Sequence, residues 1–284
     1  MRLVTISQGS GRPEAGMLVD GQVIGLEQIG YPDAISFLNG GEEALRTAER
    51  LAADRADGVP LDSVRLHAPV PNPGKFICIG LNYRDHAIES GMEIPEIPTV
   101  FTKYGNAVCG HGDPIILPSV SDKVDYEAEL GFVVGKRAKG VRASDWEEYV
   151  FGYTCVHDVS ARDYQLATSQ WTIGKTFDTF GPFGPALVSK DEVPNVGNLR
   201  IWLDLNGERL QDSNTDQLVF DVPALLEYLS AVMTLEPGDI VSTGTPPGVG
   251  MARKPPIYLR PGDTCTVGIE GIGELVNPCI AEPG

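Results

Sequence analysis

Residues 124–134, VDYEAELGFVV, place Glu127 and Glu129 inside an otherwise apolar run. Side chains two apart on a strand share a face, about 7 Å apart along it. Two carboxylates so placed repel one another and resist desolvation, and a divalent cation is the simplest compensation. Oxygen donors without Cys or His favour Mg²⁺, with Mn²⁺ or Ca²⁺ as alternatives, over zinc. The pattern also suits an edge strand with a solvated face, yet Leu130, Phe132, Val133 and Val134 make the run apolar enough to be central. A further oxygen ligand would have to come from elsewhere.

Residues 152–165, GYTCVHDVSARDYQ, offer one. Asp158 ends a strand-like stretch, and Ser160 is positioned to cap a short helix with Asp163 at its third position. On that helix Arg162 and Gln165, three apart, share a face, which would suit a metal-bound carboxylate substrate. Asp158 as a plain helix cap and Arg162 in a surface ion pair are the blander alternatives. His157 points away from Asp158 if both are still in the strand, and reads as structural.

Lys175 stands alone among Ile, Phe and Gly in WTIGKTFDTFGPFGP. Buried lysines are rare and usually paired or functional, and an ammonium here would stabilise negative charge on a substrate oxygen or exchange a proton. His86 and Glu89, in GLNYRDHAIESG, fall on one helical turn, where a carboxylate holding an imidazole makes a general base. The turn-rich loop VSTGTPPGVG carries Thr243 and Thr245. Its glycines match neither a dinucleotide fingerprint nor a phosphate loop, so a backbone-rich contact to a small anion is its remaining chemistry.

The elements that must carry these groups are mainly β. KFICIGL, TVFTKY, PIILP, AELGFVVGK, PALVS, RIWLDL, DIVSTG and DTCTVGIEG are short strands bounded by Gly, Pro and Asp. Asp20-Gly21 and Asn206-Gly207 mark two hairpins. Helices are few: EEALRTAERLAADRADG, with Leu45, Ala48, Leu51 and Ala52 on one face and a stop at Asp57-Gly58; SDWEEYV, opened by a Ser144–Glu147 capping box; and VPALLEYLSAVM, capped by Asp221. The proline-rich LHAPVPNPGK separates a small N-terminal unit, 1–70, from a larger one, 71–284.

With 22 basic and 39 acidic residues the formal charge is −17, which disfavours nucleic acid and anionic membranes as partners. The five cysteines form no CxxC pair, so neither a disulfide framework nor a zinc knuckle is indicated. The N-terminal residues lack a signal-peptide apolar core, and no run of about 18 apolar residues could span a membrane. A cytosolic protein acting on a small molecule is the expectation.

Five motifs, GLNYRDHAIES, DYEAELGFVVGK, VHDVSARD, GKTFDTFGPFGP and MTLEPGDIVSTGTPPGVG, occur in this order in the fumarylacetoacetate hydrolase family, which the chain resembles from about residue 74 to its end. The resemblance implies a mixed β-sandwich roll behind a small N-terminal α+β domain, assembled as a homodimer. It implies that Glu127, Glu129 and Asp158 are Mg²⁺ ligands and Lys175 the active-site lysine. Arg162, Gln165 and, in the TGTP loop, Thr245 rather than Thr243 would then contact the substrate. His86 and Glu89 match a dyad on a mobile segment that activates water. His157 departs from the family, which often has Asn there.

The family's theme is a 2-oxo acid chelating the metal through its carboxylate and adjacent carbonyl, so that an enolate is stabilised at the pyruvyl end. The reaction expected first is C–C hydrolysis of an acylpyruvate, with His86 taking a proton from water. Decarboxylation of an oxaloacetate-like acid, or isomerisation or hydration of an unsaturated 2-oxo acid, would use the same site with less need of the dyad. A non-catalytic metal-binding module would not need the dyad at all.

Overall fold

A computed structural model of the chain describes residues 1–53 and 58–283. Its architecture is two large sheets packed face to face, with a two-stranded ribbon, Val124–Asp125 with Ser160–Ala161, and few helices. The larger sheet has 12 strands, and from Arg2–Ser7 it runs through Gly181–Ser189, Val150–His157, Ala128–Val134, Ile240–Ser242 and Phe76–Gly80 to an edge at Thr99–Lys103. The smaller has five strands, Glu208–Asn214, Arg200–Leu205, Thr264–Ile269, Gly273–Ala281 and Ile115–Leu117. It lies against Ala128–Val134, Val150–His157 and Gly181–Ser189 of the larger sheet.

Strand parity decides what each face of Ala128–Val134 meets. Tyr126, Ala128, Leu130, Phe132 and Val134 belong to the main core with Leu203, Val267, Ile269 and Leu275 of the smaller sheet. The odd positions take the other face, where Val133 joins a second core with Phe183 and Leu187. Glu127 and Glu129 share that odd parity. The strand pairs on both sides, with Val150–His157 and with Ile240–Ser242, so it is central and the edge-strand alternative falls.

Both two-residue hairpins form: Asp20 and Gly21, and Asn206 and Gly207, have φ of 48°, 77°, 54° and 82°, as a twist-matched turn between antiparallel strands requires. The N-terminal unit shares its sheet with the rest of the chain, because Arg2–Ser7 pairs with Gly181–Ser189. The helix Gly41–Ala53 buries Ala44 and Ala48, with Leu45, Leu51 and Ala52 packed alongside, against the second core. Its expected stop rests on Asp57, which lies outside the described residues. Asp221 caps Val222–Val232 by accepting from Ala224 N at 3.0 Å. The Ser144–Glu147 capping box is absent: Ala143–Glu148 is a 3₁₀ turn, and Ser144 Oγ donates to the neighbouring Asp145 carboxylate instead. All five cysteines are free and buried.

Candidate active site

The site begins where two neighbouring strands end side by side. Asp158 N donates to Glu127 O at 3.0 Å, which sets the residue after Val150–His157 beside the one before Ala128–Val134. Glu127, Glu129 and Asp158 are all buried, and each offers an oxygen within 4.8 Å of the others. The expected cap at Ser160 does not form. Ser160 pairs with Asp125 in a short bridge and donates its hydroxyl to Asp158 O at 2.8 Å, leaving Ala161 to open the helix Arg162–Gln165. Arg162 and Gln165 nonetheless share a face, with Arg162 Nη1 donating to Gln165 Oε1 at 2.8 Å.

Three buried cations meet four buried carboxylates here. Lys175 Nζ lies 2.7 Å from Glu127 and 2.8 Å from Asp158. Arg162 reaches Glu127 at 2.6 Å and Asp125 at 2.8 Å, and Lys103 lies 2.7 Å from Asp158. Among the described residues no cation pairs with Glu129, whose Oε2 accepts only from Ser242 Oγ and Gly244 N. Burial, reinforced by Asp158 and Glu127, therefore pushes the Glu129 carboxyl well above the usual range. Burial acts on Glu127 in the same direction, but Arg162 and Lys175 outweigh it and hold that group well below. Burial likewise opposes charge on Lys175, yet Asp158 and Glu127 overcome it, so the ammonium is charged. Three hard oxygen donors, one of them uncompensated, are the donor set a divalent cation needs, so the residues present fit a metal ion.

The dyad lies on the helix Arg84–Ser90. His86 Nδ1 is 3.0 Å from Glu89 Oε2, while Glu89 Oε1 accepts from Gly248 N at 2.9 Å. Burial would raise Glu89, but the contacts with His86 and Gly248 N outweigh it and lower the carboxyl. An ionised Glu89 fixes the proton on Nδ1 and leaves Nε2 as the basic nitrogen. The helix is fastened through Asp85, which accepts from Ser213 Oγ at 2.6 Å, and Arg84, which donates to Leu218 O at 2.5 Å.

His86, Glu89, Glu127, Glu129, Asp158, Arg162, Gln165, Lys175 and Thr245 all line one cavity of about 390 Å³. Thr243 is buried, donates to Leu130 O and does not line it. The Thr245 hydroxyl is engaged on both sides, donating to Ala128 O at 2.9 Å and accepting from Gln211 Nε2 at 2.9 Å. His157 is fully buried and outside the cavity; burial and then Lys103 push its imidazole down to about 3, so it is neutral. The sequence reading missed Lys103, Asp125, Gln211 and Ser242. Asp125 alone carried a signal, since it continues the two-residue spacing of Glu127 and Glu129.

Residues 75–280 match the family model described as fumarylacetoacetate hydrolase C-terminal. A mitochondrial oxaloacetate tautomerase of Xenopus laevis is 44% identical over 99% of this chain and 90% of its own length. One of Rattus norvegicus is 47% identical over 87% of this chain and 79% of its own. Maleylpyruvate hydrolase from Sphingobium sp. SYK-6, solved with manganese(II) and pyruvate, superposes with a TM-score of 0.84 at 32% identity, covering 100% of both chains. The cytosolic expectation is overturned by these relatives, which are described as mitochondrial. It rested on the lack of an apolar signal core, whereas organelle import reads amphipathic, Arg-rich segments. A metal-dependent enzyme is the common ground of site and relatives, and the chain belongs to the fumarylacetoacetate hydrolase family.

Proposed function

We propose that the chain interconverts the keto and enol forms of a short 2-oxo acid, oxaloacetate being the first candidate, with Mg²⁺ or Mn²⁺ held by Glu127, Glu129 and Asp158. The observation that carries this reading is the pairing of an oriented imidazole, His86 with Nδ1 held by Glu89, with an acidic triad in one cavity. A divalent cation bound there supplies Lewis acidity that polarises the carbonyl and acidifies the adjacent carbon. His86 Nε2 takes the proton from that carbon and later releases it to solvent, while the carbonyl oxygen takes one proton from solvent, so the exchange is balanced and consumes no water. Lys175, held charged by Asp158 and Glu127, stabilises negative charge developing on the oxygen. Arg162, with Gln165 beside it, receives the carboxylate. The extent and level of identity to the oxaloacetate tautomerases support the choice of reaction.

C–C hydrolysis of an acylpyruvate is the second reading. The same oriented imidazole would serve to deprotonate water, and the maleylpyruvate hydrolase superposes along the whole chain. Enol-oxaloacetate absorbance, followed with a pyruvate assay before and after chelation, separates the possibilities. Metal-dependent loss of enol without pyruvate is expected. Pyruvate release from oxaloacetate would instead indicate decarboxylation. Pyruvate release from acetylpyruvate, with oxaloacetate enol untouched, would replace tautomerisation by hydrolysis.

A further inference from the structure

Asp125 lies outside the acidic triad and outside the cavity wall, yet it is among the most heavily engaged carboxylates of the site. It is fully buried. Its Oδ2 accepts from Arg162 Nε at 2.8 Å and from Met251 N at 3.0 Å. Its Oδ1 accepts from Gly250 N at 2.7 Å and Tyr126 N at 2.8 Å. One side chain thus joins the Arg162 guanidinium to the backbone of the 244–252 loop, which contributes Thr245, Val249, Met251 and Ala252 to the cavity. The approach is close enough to demand glycine: a Cβ on Gly250 would stand 2.5 Å from Asp125 Oδ1 and 1.9 Å from Ile257 O.

Arg162 shows why this matters. A guanidinium has five N–H groups, and three are spent on Asp125, Gln165 and Glu127. Two remain, and their directions are set by the plane that Asp125 at Nε and Glu127 at Nη2 impose. A bidentate carboxylate contact depends on that plane. We propose that Asp125 is a positioning residue, one that fixes the free N–H groups of Arg162 and the 244–252 loop together for uptake of the substrate carboxylate. This rests on the reading that Arg162 receives that carboxylate.

The test uses full-length protein loaded with Mn²⁺ and oxalate as a non-reacting probe, both measured by calorimetry. Asp125→Asn keeps the shape but turns an amide NH₂ toward N–H donors. It is expected to weaken oxalate about tenfold or more and to raise KM more than it lowers kcat, with Mn²⁺ affinity within about threefold of wild type. Combining it with Arg162→Lys should weaken oxalate no further than Arg162→Lys alone, since both break one linkage. Asp125→Ser is the second variant, because it removes the carboxylate that joins Arg162 to the loop without adding bulk; the same oxalate-specific loss is expected. Unchanged oxalate affinity in both variants overturns the inference, as does a matched fall in Mn²⁺ affinity, melting temperature and kcat, the mark of a merely structural role. A wild-type protein that binds Mn²⁺ but no oxalate would overturn the functional reading itself.

Discussion

The two halves of the site are built differently. The acidic half sits where two central strands end, with every charge buried and nearly every one paired: Glu127 with Arg162 and Lys175, Asp158 with Lys175 and Lys103. The basic half, His86 with Glu89, rides on a seven-residue helix held by a handful of polar contacts at the rim. Removing one partner from a buried ion cluster leaves another charge stranded, whereas removing a rim side chain strands nothing. The acidic half should therefore couple chemistry to stability, and the dyad should affect chemistry alone.

Glu127→Ala gives the largest expected effect. It strips a carboxylate from both Arg162 and Lys175, so a loss of about 3–5 kcal/mol in denaturant unfolding should accompany loss of Mn²⁺ binding and of activity. Glu129→Gln sharpens the contrast within the acidic half. Glu129 pairs with no cation among the described residues, and glutamine can still accept from Ser242 and Gly244. Calorimetry should show metal binding lost, while metal-free stability stays within about 1 kcal/mol of wild type. A collapse like that of Glu127→Ala would mean that Glu129 is paired after all.

His86→Gln should lower kcat by roughly 10²–10⁴ and leave Mn²⁺ affinity unchanged, a separation that steady-state kinetics and calorimetry can read on one preparation. An effect absent at neutral pH concerns His157, neutral in the fold with its imidazole pushed down to about 3. The unfolded chain binds a proton there below about 6.5 that the folded chain refuses until about 3. Stability from this residue is complete above that window and falls as pH drops through it, by at most about 1.4 kcal/mol per pH unit. Unfolding measured from pH 7 to pH 4 should show a shallower decline for His157→Asn than for wild type.

Much of the acidic half was legible because its residues break the pattern of their strands. Glu127 and Glu129 in an apolar run, and Lys175 among Gly and Phe, are visible without coordinates. Lys103 was not: a lysine closing TVFTKY reads as an ordinary strand end, and only the packing of Thr99–Lys103 beside Phe76–Gly80 brings its ammonium to Asp158. Ser160 misled for a related reason. A serine three residues before a carboxylate mimics a capping box, but Ser160 is taken up by the bridge to Asp125. The strand Gly273–Ala281 escaped notice because Asn277 and Pro278 interrupt its apolar run. Asn277 is nonetheless buried, its amide satisfied by Gly110 O and Asp113 O, each at 2.8 Å.

The most direct test of the division of labour is exchange of the C3 protons of 2-oxobutyrate in D₂O, followed by proton NMR with Mg²⁺. This 2-oxo acid can enolise but has neither a distal carboxylate to lose nor an acyl group to cleave. The account predicts exchange that needs both Mg²⁺ and His86, lost in His86→Gln although that variant still binds the metal. Absence of exchange in Mg²⁺-loaded wild type, or exchange undiminished in His86→Gln, would contradict it.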